Sequence, residues 1–268
     1  EYQASDRLTI TGGLRVDFPI WPTDQPVNEE FNNTTIPAIE GFGYDLQGAR
    51  TGSFIGGSVA FAPRFGFNWD VIGDKTTQVR GGIGLFTSRI PLVWPGGAYN
   101  NYGFNIGATG GTDVPFIADV QKQPVAFDDD GNPITAVNLA DPTPSGQIDL
   151  FAEDFKLPQV LKINLAVDQK LPGGLIGSLE GLFSQNINAP FYQNLNLKPQ
   201  RATLTGGSDN RPLFLGTQAA FGDDVIEPTY TYIMLASSIN AGYTYNLAAT
   251  LTKPFNNGVS GTVAYSWN

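Results

Sequence analysis

Along residues 64–86, "RFGFNWDVIGDKTTQVRGGIGLF", apolar and polar positions alternate in two runs separated by a short break. Phe65, Phe67, Trp69 and Val71 hold odd positions, with Arg64, Gly66, Asn68 and Asp70 between them. Beyond the break Val79, Gly81, Ile83 and Leu85 are odd, while Arg80, Gly82 and Gly84 are even; Phe86 alone departs. A period of two puts one set of side chains on each side of a strand, so this stretch predicts a hairpin with one apolar and one polar face. The pattern recurs. Segment 7–18 sets Leu8, Ile10, Leu14, Val16 and Phe18 against Arg7, Thr9, Thr11, Arg15 and Asp17. Segment 160–171 sets Leu161, Ile163, Leu165, Val167 and Leu171 against Lys162, Asn164, Asp168 and Lys170. Segment 175–186 sets Leu175, Leu179 and Phe183 against Ser178, Glu180 and Ser184. A longer run, roughly 233–255, carries Ile233, Leu235, Ile239, Tyr243, Tyr245, Leu247, Leu251 and Phe255 on odd positions, with Asn240, Thr244, Asn246, Thr250 and Thr252 on even ones. In segment 259–268, Val259, Val263, Tyr265 and Trp267 oppose Ser260, Thr262, Ser266 and Asn268. About seven long strands are expected.

Their connections differ by end. Three are short and contain glycine: "IGD" (72–74), "PGG" (172–174) and "NNG" (256–258). Three-residue hairpins place Val71 opposite Lys75, Leu171 opposite Leu175 and Phe255 opposite Val259, which keeps like faces together. That register also sets Arg64 opposite Gly82 and Arg80 opposite Gly66, with glycine leaving room for each guanidinium. The other connections, about 20–57, 90–156 and 189–230, are long, rich in proline and acids, and fall at the opposite end. Loops of that length are uncommon unless they carry function. No repeat of 20 to 50 residues argues for a propeller or solenoid.

Composition decides which solvent the apolar face meets. Charged residues are only 15% of the 268-residue chain, against about 25% in ordinary soluble domains. Net charge is −10, which argues against a nucleic-acid partner. The absence of Cys and His removes disulfides, thiolate or histidine metal sites, and Ser-His or Cys-His catalysis. No apolar run is long enough for a membrane-spanning helix, but transmembrane β-strands need only short alternating segments. A soluble β-sandwich would pack the apolar face on a second sheet. A transmembrane barrel would turn it to lipid. Strand length, the one-sided distribution of long loops and mid-strand charges such as Arg64, Arg80 and Glu180 favour the barrel. So do aromatic residues near strand ends, Phe18, Trp21, Trp69, Trp94, Phe255 and Trp267, which read as interfacial girdles. The expected fold is all-β: an antiparallel up-and-down meander forming part of a transmembrane β-barrel, with short periplasmic turns and long extracellular loops.

Four blocks carry a resemblance: "RLTITGGLRVDFP", "FAPRFGFNWDVIGDKTTQVRGGIGLFTSRIPLVW", "EDFKLPQVLKINLAVDQKLPGGLIGSLEGLFSQNIN" and "GYTYNLAATLTKPFNNGVSGTVAYSW". Together they resemble the middle of the barrel of TonB-dependent outer-membrane receptors, nearest to the Oar-like subgroup of Bacteroidota. The resemblance implies a larger barrel with an N-terminal plug, energised by the TonB system and importing a ligand. Implied partners are outer-membrane lipid, the remainder of the barrel, the plug, TonB through that plug, and a surface lipoprotein lid; no cofactor and no enzymatic activity are implied. Residues 1–268 are expected to be one partial barrel domain, without plug, signal peptide or closing strand in this chain, whose edges pair with the rest of the barrel.

Candidate chemistry follows from the faces. The lipid-facing set is expected to include Phe65, Phe67, Trp69, Val79, Ile83, Leu85, Leu161, Ile163, Leu165, Tyr243, Tyr245 and Leu247. The lumen-facing candidates for ligand or plug contact are Arg15, Asp17, Arg64, Arg80, Lys162, Asp168, Glu180 and Asn240, with interior ion pairing as the plainer reading. "DDDGN" (128–132) fails as an EF-hand because Pro133 stands where the loop needs glycine, and reads as a turn. "GGIG" (81–84) lies inside a strand and reads as space for neighbours rather than a phosphate loop. Carboxylates in 90–156 lack the positioned scaffold that glycoside hydrolysis needs. "IPLVWPGGAY" (90–99) is either a self-packed loop base or a contact surface. The competing functions are a surface structural or adhesive barrel without transport, and a soluble secreted sandwich.

Overall fold

The computed structural model describes residues 1–21, 24–53, 58–104, 126–127, 133–134, 146–200, 202–208, 210–213, 225–256 and 258–268. In chain order its strands begin with β1 (Tyr2–Ser5), β2 (Leu8–Asp17), β3 (Ala60–Asp70), β4 (Thr77–Thr87) and the two-residue β5 (Ala126–Phe127) and β6 (Pro133–Ile134). β7 (Gly146–Phe151), β8 (Gln159–Leu171), β9 (Leu175–Ile187) and β10 (Ala189–Asn194) follow. The short β11 (Ala202–Thr203) and β12 (Pro212–Leu213) precede β13 (Tyr230–Ile239), β14 (Tyr243–Asn256) and β15 (Val259–Trp267). Eight of them form one sheet in the order β1-β2-β3-β4-β8-β9-β14-β15. Every neighbouring pair is antiparallel, so the sheet is a meander with β1 and β15 as its edges. Period-two alternation predicts all of these except β1, a four-residue strand too short to show a period.

The two faces separate as the alternation requires. Phe65, Ile83, Leu165 and Leu247 are 48%, 46%, 54% and 56% exposed, and Val263, Tyr265 and Trp267 extend the same open surface. No second layer packs on this face among the described residues, as a sandwich would require. An apolar sheet face left this open has no burial partner among the described residues.

Two of the three short turns depart from the expected register. The "PGG" turn pairs Leu171 with Leu175 as expected, with Gly173 and Gly174 at φ +76° and +75°. At "NNG" the body of the hairpin keeps the expected register, Leu251 opposite Val263, but a bulge pairs Asn256 with Val259 in place of Phe255. The "IGD" turn is longer than three residues: β3 ends at Asp70 and β4 starts at Thr77. Asp70 is the cause. Its carboxylate accepts the N–H groups of Gly73 at 2.9 Å and Lys75 at 3.0 Å, closing a wide loop from within. Arg64 therefore lies opposite Gly84 rather than Gly82, and Arg80 opposite Asn68 rather than Gly66. The slip is two residues, so no side chain changes face.

The largest departure lies at the other end. The three long connections are not mere loops; their described parts fold into a cap. The run 233–255 is one ladder bent into two sheets. β9–β14 pairing places Gln185 opposite Tyr243, and β10–β13 pairing continues that register with Ala189 opposite Ile239. Between them Asn188 has φ +54° and Gly242 φ +90°. Past this bend β13 joins β10 and a parallel strand, β7, in a three-stranded sheet. Ile233 and Leu235, at 0% and 1% exposure, thus belong to a core and not to the open apolar face.

That core takes residues from every long connection. Phe31 and Ile39 come from the first, Ile148 and Leu150 from the second and Leu195 from the third, and β13 adds Ile233 and Leu235. Phe31, in a π-helical turn (Phe31–Thr35) leading into helix α1 (Ile36–Gly41), meets Tyr230 edge-on at 5.5 Å. A second cluster joins Ile90, Ala98, Phe151, Phe155 and Ala236, with Trp21 and Trp94 packed against it. These two tryptophans are therefore cap residues and not members of a rim girdle, because the chain beyond the strand ends folds back over itself. Two fully buried asparagines tie the connections together. Asn28 donates to the Tyr102 carbonyl at 3.0 Å and accepts the Phe31 N–H at 2.9 Å. Asn196 donates to the carbonyls of Glu227 and Tyr230 at 3.0 and 2.7 Å. Each satisfies backbone groups that burial would otherwise strand.

Candidate functional site

The polar face of the sheet gathers most of the charged candidates. Arg80, on β4, lies opposite Ala166 of β8, and the small alanine lets the guanidinium reach along its neighbours. Its Nε donates to Asp168 Oδ2 at 3.0 Å and its Nη2 to Glu180 Oε2 at 3.3 Å. The second Asp168 oxygen accepts the Ser178 hydroxyl at 2.5 Å. One cation thus joins two carboxylates across β4, β8 and β9. At 40% exposure the arginine is only partly withdrawn from solvent, so each pair contributes at most about 1 kcal/mol. Neutral contacts extend the network towards the short turns: Gln78 donates to Asn68 at 2.7 Å, and Thr77 to Gln169 at 2.6 Å.

A second group explains the one break in the alternation. Arg64, Gly84 and Lys162 form a row across β3, β4 and β8. Phe86 stands on this polar face and leans over Gly84, where an added Cβ would come 2.9 Å from its ring. Arg64 Cζ lies 4.4 Å from the ring centroid and Lys162 Nζ 5.8 Å, so the ring serves as a platform for both cations. Glycine at 84 makes room for that ring.

Arg15 and Asp17 pair with each other at the upper end of β2, through Nε at 2.9 Å and Nη2 at 2.6 Å to a single carboxylate oxygen. Asn240 stands apart from these groups. It lies in the link between β13 and β14, where its Oδ1 accepts the Asn188 N–H at 3.0 Å and holds the bend. Asn164, which the alternation placed on the polar face, joins Thr9, Asn68 and Arg80 around a depression of about 370 Å³. A lone ring on an otherwise polar face is the signal by which Phe86 was open to detection.

The remaining candidates resolve simply. "GGIG" is part of β4, and "DDDGN" lies outside the described residues. Within "IPLVWPGGAY", helix α2 (Val93–Asn100) buries Pro95 and Ala98, while Leu92 and Val93 stay exposed. The segment is chiefly a packed base for the cap. Among the described residues no group of three or more His, Cys, Asp or Glu is placed to hold a metal. No helix among the described residues is long and apolar enough to cross a membrane.

Comparison with known proteins agrees with this geometry. The profile of the outer membrane beta barrel domain matches residues 1–268. No curated protein matches the sequence. Among solved structures, the outer membrane transporter YddB from Escherichia coli is similar at 11% identity and a TM-score of 0.36, covering 73% of this chain and 17% of that one. The ferric enterobactin receptor PfeA, in complex with BCV-L6, gives 11% identity and a TM-score of 0.40 over 79% of this chain and 22% of that one. A mutant of PfeA from Pseudomonas aeruginosa, in complex with enterobactin, gives 11% and 0.36 over 76% and 21%. The chain spans about a fifth of the length of these structures.

Proposed function

Because the chain belongs to the outer membrane beta barrel domain family and has its place in the bacterial outer membrane, we propose that it is part of the wall of a TonB-dependent receptor that binds and imports a ligand. The observation that carries this reading is the asymmetry of the sheet: tight turns at one end, a folded cap at the other, and an uncovered apolar face between. Such a sheet is suited to a bilayer, with turns towards the periplasm and the cap outside. In this reading Phe65, Phe67, Trp69, Val79, Ile83, Leu85, Leu161, Ile163, Leu165, Tyr243, Tyr245 and Leu247 face lipid. Arg15, Asp17, Arg64, Arg80, Lys162 and Glu180 line the lumen, where a ligand or plug meets them. The sequence blocks that resemble Oar-like receptors support import over a purely structural barrel.

Coupling to TonB tests the proposal. In cells expressing the complete gene product, formaldehyde crosslinking and purification of this protein are expected to recover TonB. Recovery of the assembled barrel without TonB would overturn import and favour a surface structural or adhesive role.

A further inference from the structure

A cavity of about 640 Å³ opens in the cap between helix α2, strand β7 and Tyr192 of β10. Its wall is mostly apolar. The rings of Trp94 and Tyr192 meet at 5.2 Å and 73°, forming an aromatic corner, and Phe151 and Met234 continue the surface. Among the described residues Asp149 is the one carboxylate in the lining, and no Lys or Arg accompanies it. It is held on both sides: Asn101 Nδ2 donates to Oδ2 at 2.7 Å, and Gln147 Nε2 to Oδ1 at 2.5 Å. Those two bonds fix its direction and, among the described residues, leave acceptor positions open, since a carboxylate accepts about four hydrogen bonds.

The helix is shaped around this group. A Cβ at Gly97 would lie 2.4 Å from Asp149 Oδ2, so glycine is what lets the carboxylate rest against α2. Glycine inside a helix costs about 1 kcal/mol relative to alanine, an expense that packing of a plain helix would not require. The neighbouring phenol adds no second negative charge. Burial first, and then the charge of Asp149, push Tyr192 up to about 12, so it stays neutral at physiological pH.

An oriented carboxylate beside two aromatic faces, in an otherwise apolar cavity, complements a positive charge attached to an apolar body. We infer that the cap cavity binds a small organic cation, an amine or ammonium whose charge meets Asp149 and whose apolar part lies against Trp94 and Tyr192. This goes beyond import: it assigns a ligand class to a site in the cap, and binding there needs no transport step.

Titration calorimetry on the full-length receptor in a polyoxyethylene detergent at neutral pH tests it, with phenethylamine and its neutral shape match 2-phenylethanol as probes. The amine is expected to bind about tenfold more tightly than the alcohol. Asp149→Asn should reduce that preference to within about twofold, and Gly97→Ala should weaken it by displacing the carboxylate. Equal affinities in the unaltered receptor, no binding of either probe, or a full preference retained by Asp149→Asn would each overturn the inference. The comparison of probes on the unaltered receptor stands even where a variant fails to fold. TonB crosslinking on the same preparation separates failure of this site from failure of the import proposal.

Discussion

Arg80 shows how a single side chain organises the polar face. It joins Asp168 and Glu180, which would otherwise repel each other across adjacent strands. Replacing it with a neutral residue leaves two carboxylates without their cation, with only the Ser178 hydroxyl still donating to Asp168. Arg80→Gln is expected to destabilise the assembled full-length barrel by about 1 kcal/mol, a modest figure because the site is partly solvated. Urea unfolding in lipid vesicles would measure it, and Glu180→Gln in the same background should recover most of the loss by removing the repulsion. An unchanged midpoint in Arg80→Gln would mean that these pairs hold nothing together. Phe86 makes a complementary point: a residue that looks like an error in the alternation is the contact surface for Arg64 and Lys162.

Among the elements, what was legible in the sequence and what was not divides along physical lines. Strands β2, β3, β4, β8, β9, β14 and β15 were legible because alternation must persist wherever one face of a sheet is apolar. Turn length was less so. "IGD" reads as a three-residue turn, yet the Asp70 side chain competes with backbone pairing and opens the loop to 71–76. Asp70→Ala should therefore cost about 1 kcal/mol and shift the hairpin towards the tighter turn. Lys75 has φ +61°, so Lys75→Gly should be neutral or stabilising, both being read by urea unfolding of the receptor in vesicles. Equal loss in both variants would contradict this account of the turn. The bend at Asn188 and Gly242 was hidden for another reason: alternation runs on through a kink, so it cannot say where one sheet hands over to another. The roles of Asn28 and Asn196 were also hidden, because their partners lie far away in sequence or on main-chain atoms. The site residues split the same way. Parity placed Arg80, Asp168 and Glu180 on one face and the structure joins them; Asn240 shares the parity but sits at the bend.

For the whole molecule, two apolar surfaces meet different fates. In the cap, side chains from three distant connections bury one another, and a conventional core results. On the eight-stranded sheet, equally apolar side chains remain uncovered. In the proposed reading, lipid is the solvent that covers this second surface. The chain contains no cysteine, which permits a clean scan of β4 with single substitutions from Val79→Cys to Phe86→Cys in the full-length receptor in membranes, any cysteine elsewhere in that protein being replaced first. Labelling by a water-soluble maleimide, paired with quenching by brominated lipid, reads the two environments independently. The prediction is strict alternation: positions 79, 81, 83 and 85 protected from the aqueous reagent and quenched by lipid, positions 80, 82, 84 and 86 showing the reverse. Uniform labelling along the strand, or alternation of the opposite phase, would contradict the assignment of the apolar face to lipid.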